Sequence, residues 1–141
     1  MSTQRPNLIA NIILLILGGM CVFHVLVMAG ALPGDMVWGG RAAVSQSDLL
    51  LMEAIALIVT LLFMLVIAMK AGYLLSGKLP RTVNAAVWVI AVYFTLNIIG
   101  NLTSPSLVEK LIFTPVAVAL AVLSFMLALK KQTSPIAEDG S

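Results

Sequence analysis

Four apolar runs dominate this chain, at residues 8–32, 49–69, 83–102 and 107–129. Each is long enough to cross about 30 Å of hydrocarbon at about 1.5 Å per helical residue. Inside a bilayer no water is available to backbone amides, so runs of this kind must close their own hydrogen bonds as helices. Composition supports the same conclusion. The chain is 61 % hydrophobic and 10 % charged, whereas soluble domains run near half apolar and a quarter charged. The expected fold is an all-α membrane protein: one domain over 1–141, four transmembrane helices in an antiparallel bundle, and a disordered tail at 132–141.

Local signals place the helix ends. Ser45-Gln46-Ser47-Asp48 offers caps for the second helix and Thr82 for the third, while Ser106-Leu107-Val108-Glu109 fits a capping box opening the fourth. Pro115 falls inside that fourth helix and predicts a kink. Ala29-Gly30-Ala31 has the small residues of a signal-peptidase site. The run before it exceeds 20 residues, and its basic flank is Arg5 alone, so the first helix is read as retained.

Orientation follows from the cations. Arg5, Lys70, Lys78, Arg81, Lys130 and Lys131 lie on one side of the four spans, and only Arg41 and Lys110 on the other. Six against two predicts that both termini are cytoplasmic. It also argues against the dual-topology insertion of some small multidrug exporters.

Several function classes drop out. The net charge is +2 with dispersed basic residues, which gives no footprint for nucleic acid. A single cysteine excludes an intrachain disulfide or a CxxC pair. A single histidine excludes bis-histidine haem within one chain. Zinc-type spacing, a Gly-rich phosphate loop and a GxSxG element are all missing from the sequence.

The polar residues inside the spans are the informative ones. Counting along the helices, His24 lies about 10 Å in from the outer end of the first helix. Glu53 and Asn97 each lie about 6–7 Å in from the same side, with Asn101 one turn beyond Asn97. Tyr93, Asn97 and Asn101 recur at i, i+4, i+8 and form one stripe. A carboxylate facing lipid is costly, so Glu53 should face the bundle and find His24, Asn97 or Arg41 as partner. The loop Leu32–Asp48 then reads as a lid over an outward-facing pocket, with Gly39-Gly40 permitting a tight turn that returns Arg41 toward Glu53. Candidate ligand-binding residues are His24, Trp38, Arg41, Glu53, Tyr93, Asn97 and Asn101. Each has a plainer role open to it: Trp38 as an interfacial anchor, Arg41 and Glu53 as a structural ion pair, and the asparagines as interhelical hydrogen bonds.

Cys21, His24 and Met28 recur at i, i+3, i+7 on one face of the first helix. Soft donors of this kind suit Cu(I), and the histidine could ligate haem. The alternative is packing, because methionine fills gaps and cysteine behaves as a small apolar residue.

Residues 20–120 resemble a group of small four-helix inner-membrane proteins of bacteria that have no established activity. The likeness is carried by Val37-Trp38-Gly39-Gly40-Arg41, Glu53, Asn97-Ile98-Ile99-Gly100-Asn101 and the stretch Glu109–Pro115, with Cys21 and His24 in matching places. The resemblance implies a bacterial inner-membrane location and four helices, and transfers no activity.

The expected function is therefore a non-enzymatic integral membrane protein whose pocket binds a small ligand, a lipid headgroup or a partner subunit. Two alternatives stand beside it: transport using Glu53 as a protonatable group, and an enzyme with Glu53 and His24 as acid and base. Expected partners are the lipid bilayer and either a second copy or another membrane subunit. Ala117 and Ala121 permit close helix packing, whether with a helix of the same chain or of a neighbour.

Overall fold

The computed structural model describes residues 7–40 and 45–131. Arg5, Arg41 and the tail expected at 132–141 lie outside the described residues. The described chain is helical, with α1 at Leu8–Met28, α2 at Gln46–Lys70, α3 at Pro80–Thr103 and α4 at Thr114–Leu129. A π-helical turn, Glu109–Phe113, runs directly into α4. With that turn included, all four helices are long and apolar enough to cross a membrane. Large apolar side chains such as Leu15, Leu61, Val89, Leu96 and Leu129 stay exposed around the bundle, a surface suited to lipid rather than water.

Several boundaries differ from the sequence reading, each for a local reason. The first helix stops at Met28 instead of Leu32, because Gly30 takes φ +73°. Its neighbours close a Schellman stop, with Ala31 N donating to Leu26 O and Gly30 N to Val27 O. The Ala29-Gly30-Ala31 tripeptide thus forms a helix terminator. α2 starts at Gln46, three residues earlier than expected, because Ser45 caps it by accepting the Asp48 N–H. α3 starts at Pro80, whose missing N–H is harmless in the first turn. Thr82 therefore sits inside the helix and does not cap it.

The expected kink at Pro115 is accommodated differently. Proline cannot donate to the carbonyl four residues back. The chain widens by one residue before it, so that the Thr114 N–H reaches Glu109 O and the Thr114 hydroxyl donates to the same carbonyl at 3.2 Å. Such π-turns satisfy the backbone while shifting the register of the side chains upstream.

The buried faces follow helical spacing. Ala10, Ile13, Leu17, His24 and Val27 form the inner face of α1. Glu53, Thr60 and Ile67, seven residues apart, form that of α2. On α3 the stripe Val83, Val87, Ile90, Phe94 continues through Asn97 and Asn101. Small residues Ala117, Ala121, Ser124 and Ala128 bring α4 against α3. The dense core of Ile13, Leu17, Ile67, Val87, Ile90, Leu120 and Leu127 fills one half of the bundle, and the other half holds the cavity described below.

The densely packed half ends in a polar cluster that the sequence reading reduced to Asn84. Lys70, only 5 % exposed, donates to Asn84 Oδ1 at 2.5 Å and to the Lys130 carbonyl at 2.7 Å. It sits where α2 and α4 both end, so the ammonium also meets the negative ends of two helix dipoles. Beside it the Tyr73 hydroxyl donates to Asn11 Oδ1 at 2.6 Å and accepts the Asn7 N–H, tying the start of α1 to the end of α2. Asn84→Ala should leave the buried cation one acceptor short and lower stability by roughly 1–3 kcal/mol, read as thermal unfolding in detergent. Adding Lys70→Met to that variant should recover much of the loss, because the group needing the acceptor is gone.

Candidate functional site

Glu53 lies two turns into α2 and is completely buried. A carboxylate in such a place has to be neutralised or hydrogen-bonded at both oxygens, and both are taken. His24 Nδ1 lies 2.7 Å from Oε2, and the Trp38 indole N–H donates to Oε1 at 2.7 Å. Because indole nitrogen is a donor only, Oε1 is fixed as an acceptor. The other oxygen shares a proton with the imidazole, as an ion pair or as a neutral hydrogen bond. Of the three partners expected for Glu53, the structure places His24 on it. Asn97 instead donates to the Tyr93 carbonyl of its own helix at 3.1 Å, and Arg41 lies outside the described residues.

The loop takes an unusual path to deliver that indole. Trp38, Gly39 and Gly40 have φ of +57°, +78° and +65°, three consecutive residues in the left-handed region. Two glycines adopt it freely. Trp38 does so at a cost of about 1–2 kcal/mol, offset by a buried hydrogen bond to a carboxylate. The same turn aims the Gly39 N–H at Glu109 Oε1, 3.1 Å away, while the Ser106 hydroxyl donates to Met36 O at 3.3 Å. The WGG stretch therefore seats the loop on α2 and on the first turn leading into α4.

Glu109 is the residue that sequence reasoning placed elsewhere. It was expected to complete a capping box with Ser106, and half of that box forms: the Ser106 hydroxyl accepts the Glu109 N–H at 3.4 Å. The reciprocal bond does not form, because Ser106 N–H donates to Ser104 Oγ and the Glu109 carboxylate turns to the loop. Its place at the head of a π-turn was the available signal, since Thr114-Pro115 five residues on disrupts regular helix spacing.

These groups line a cavity of about 220 Å³. His24, Trp38 and Glu53 stand in its wall together with Tyr93, Asn97, Asn101 and Glu109, so six of the seven sequence candidates converge there and the seventh, Arg41, is not described. The rest is mostly apolar and includes four phenylalanines: Phe23 and Phe113 meet edge to face at 5.0 Å, and Phe63 meets Tyr93 at 5.0 Å and Phe94 at 5.8 Å. Trp38 and Tyr93 remain 39 % and 42 % exposed, which places them at the rim.

Cys21, His24 and Met28, the candidate soft-metal set, all lie on α1. The Cys21 thiol lies toward Met64 Sδ on α2, at 3.8 Å, and one nitrogen of His24 is committed to Glu53. Among the described residues no three His, Cys, Asp or Glu side chains are grouped as a metal site.

Comparison with protein families, curated proteins and solved structures returns no match. The site's own chemistry must carry the functional reading. Trp38→Phe keeps the ring and deletes the donor, leaving Glu53 Oε1 buried without its partner. A stability loss of about 1–3 kcal/mol is expected, measured by thermal unfolding, whereas Trp88→Phe, at an indole that packs edge-on to Phe125, should cost less.

Proposed function

We propose that this chain is a multi-pass membrane protein, not an enzyme, whose cavity binds a small ligand, lipid headgroup or partner group from the outer face. The observation that carries the reading is Glu53: a fully buried carboxylate held from two sides in the wall of a cavity. Buried polar groups converging on an otherwise apolar hollow are the usual composition of a binding site.

The topology we assign is an antiparallel bundle with both termini in the cytoplasm, in the inner membrane of a bacterium. In support, the start of α1 meets the end of α2 through Tyr73, and the end of α1 meets the start of α2 through His24 and Glu53. Lys70, Lys78, Arg81 and Lys130 cluster toward the end away from the cavity, in keeping with the positive-inside rule. The bacterial location follows the resemblance carried by the VWGGR loop.

Binding is favoured over passage by what lies between Glu53 and Lys70. The two are 17 residues apart on α2, about 25 Å at helical rise, and past the cavity, whose wall reaches Phe63, the core is apolar, chiefly Ile, Leu, Val and Ala. A second reading, acid–base catalysis, draws on the same 2.7 Å contact between His24 and Glu53, which is within the reach a catalytic pair requires.

Native mass spectrometry on protein gently extracted from its own membrane tests both. A stoichiometric adduct on the wild type that is lost in Glu53→Gln is the expected result. Bare chains in both samples would remove the binding role. A catalytic pair would instead give adducts of different mass on wild type and His24→Gln, as product and unconverted substrate.

A further inference from the structure

We infer that the cavity is selective for an organic ammonium group, carried either by a small amine or by a lipid headgroup; this rests on the binding role proposed above. The first argument is hydrogen-bond polarity. The Trp38 N–H is spent on Glu53, the Thr60 hydroxyl proton on Ala56 O at 2.8 Å, and an Asn97 N–H on Tyr93 O. What these groups leave to an occupant is chiefly lone pairs, on Thr60 Oγ1, Asn97 Oδ1 and the Glu109 carboxylate, beside two donors, the second Asn97 N–H and His24 Nε2. A carboxylate offers roughly four such sites, of which Glu109 has one engaged, by the Gly39 N–H. Asn101 and the Tyr93 hydroxyl can serve either way. A ligand that brings donors therefore meets more partners in this cavity than one that brings only acceptors.

The second argument is charge. Two carboxylates line the cavity, and His24 is the only basic side chain in its described wall. Among the described residues, even with the imidazole protonated, one negative charge remains over. An anion placed there would meet Glu109, whose carboxylate already accepts the Gly39 N–H, and like charges repel more strongly away from bulk water.

The third argument is the wall itself. The chain has nine aromatic residues, five Phe, two Trp and two Tyr, and six of them line the cavity. Aromatic faces attract cations, and more strongly once the cation is desolvated. Carboxylate and aromatic faces together form the setting in which quaternary and primary ammonium groups are recognised. The size agrees, because an apolar hollow of about 150 Å³ holds benzene and this one, at about 220 Å³, has room for an ammonium with a short alkyl or ring substituent.

The test uses three probes of nearly equal shape, cyclohexylmethylamine, cyclohexylmethanol and cyclohexanecarboxylate, titrated against the purified full chain while Trp fluorescence is followed. The amine should bind, with affinity reduced about tenfold or more in Glu109→Gln, the size of one charge-assisted hydrogen bond. Glu109→Gln keeps the His24–Glu53 pair intact, so it separates loss of recognition from loss of fold. Repeating the titration in nanodiscs of phosphatidylethanolamine and of phosphatidylglycerol identifies the source. Weaker amine binding in the first alone marks a headgroup as the occupant, and equal binding in both marks a soluble amine; either sustains the inference. Alcohol or carboxylate binding as tightly as the amine overturns the cation while leaving the pocket. If no probe binds, the native adduct decides. A composition with a basic nitrogen upholds the inference and one without it overturns it, while the absence of any adduct removes the binding role as well.

Discussion

A carboxylate withdrawn from solvent inside an apolar bundle is the constraint on which the rest of this structure turns. Glu53 has no exposed surface, and an uncompensated charge there would cost more than a typical domain can spare. Meeting that demand fixes three other parts of the chain. His24 must lie on the inner face of α1, continuing the stripe of Ile13 and Leu17. The loop must fold back far enough for the Trp38 indole to reach Oε1, which requires the left-handed backbone that Gly39 and Gly40 supply. That loop then needs a second anchor, which Glu109 provides by accepting the Gly39 N–H. One buried charge thus organises two helices, a loop and the entry to a fourth span.

The two halves of the bundle answer different physical demands. In one, branched aliphatic residues from all four helices interlock, and Lys70 closes the end on two carbonyl acceptors. In the other, aromatic rings and polar side chains stand apart around a cavity. Without a strong hydrophobic drive between helices in lipid, association depends on close van der Waals contact and on interhelical hydrogen bonds. The first half supplies the contact and the second the hydrogen bonds.

Much of this was legible in the sequence. Four long apolar runs can be little else than helices in lipid, and the shared depth of His24, Glu53, Asn97 and Asn101 brought them to one level before any coordinates. Glu53 was assigned inward because lipid would not accept it, and its partner His24 was among three named. Trp38 was placed over the site, but its bond to Glu53 depends on three successive positive φ values that periodicity does not encode. Glu109 escaped because a capping box explained it too well. Local pattern cannot say that a loop 70 residues upstream will compete for the same carboxylate. Lys70 escaped for a similar reason. A lysine at a helix end reads as a solvated charge, and only the meeting of α2 with Asn84 and the end of α4 shows that it is enclosed.

The order of Glu53 and its partners along the chain has a consequence for how the protein is made. Synthesis runs from the N-terminus and early segments fold before later ones exist. Both groups that satisfy Glu53, at positions 24 and 38, precede it, so the acid enters the bilayer with its proton partner and its indole donor already synthesised. A hairpin of α1 and α2 can carry its own charge compensation through insertion without waiting for α3 or α4. The bond from Gly39 to Glu109, by contrast, cannot close until the last span arrives. The ribosome thus delivers the hydrogen-bonded lock first and its last anchor at the end, and the cavity takes its shape as the final step of assembly.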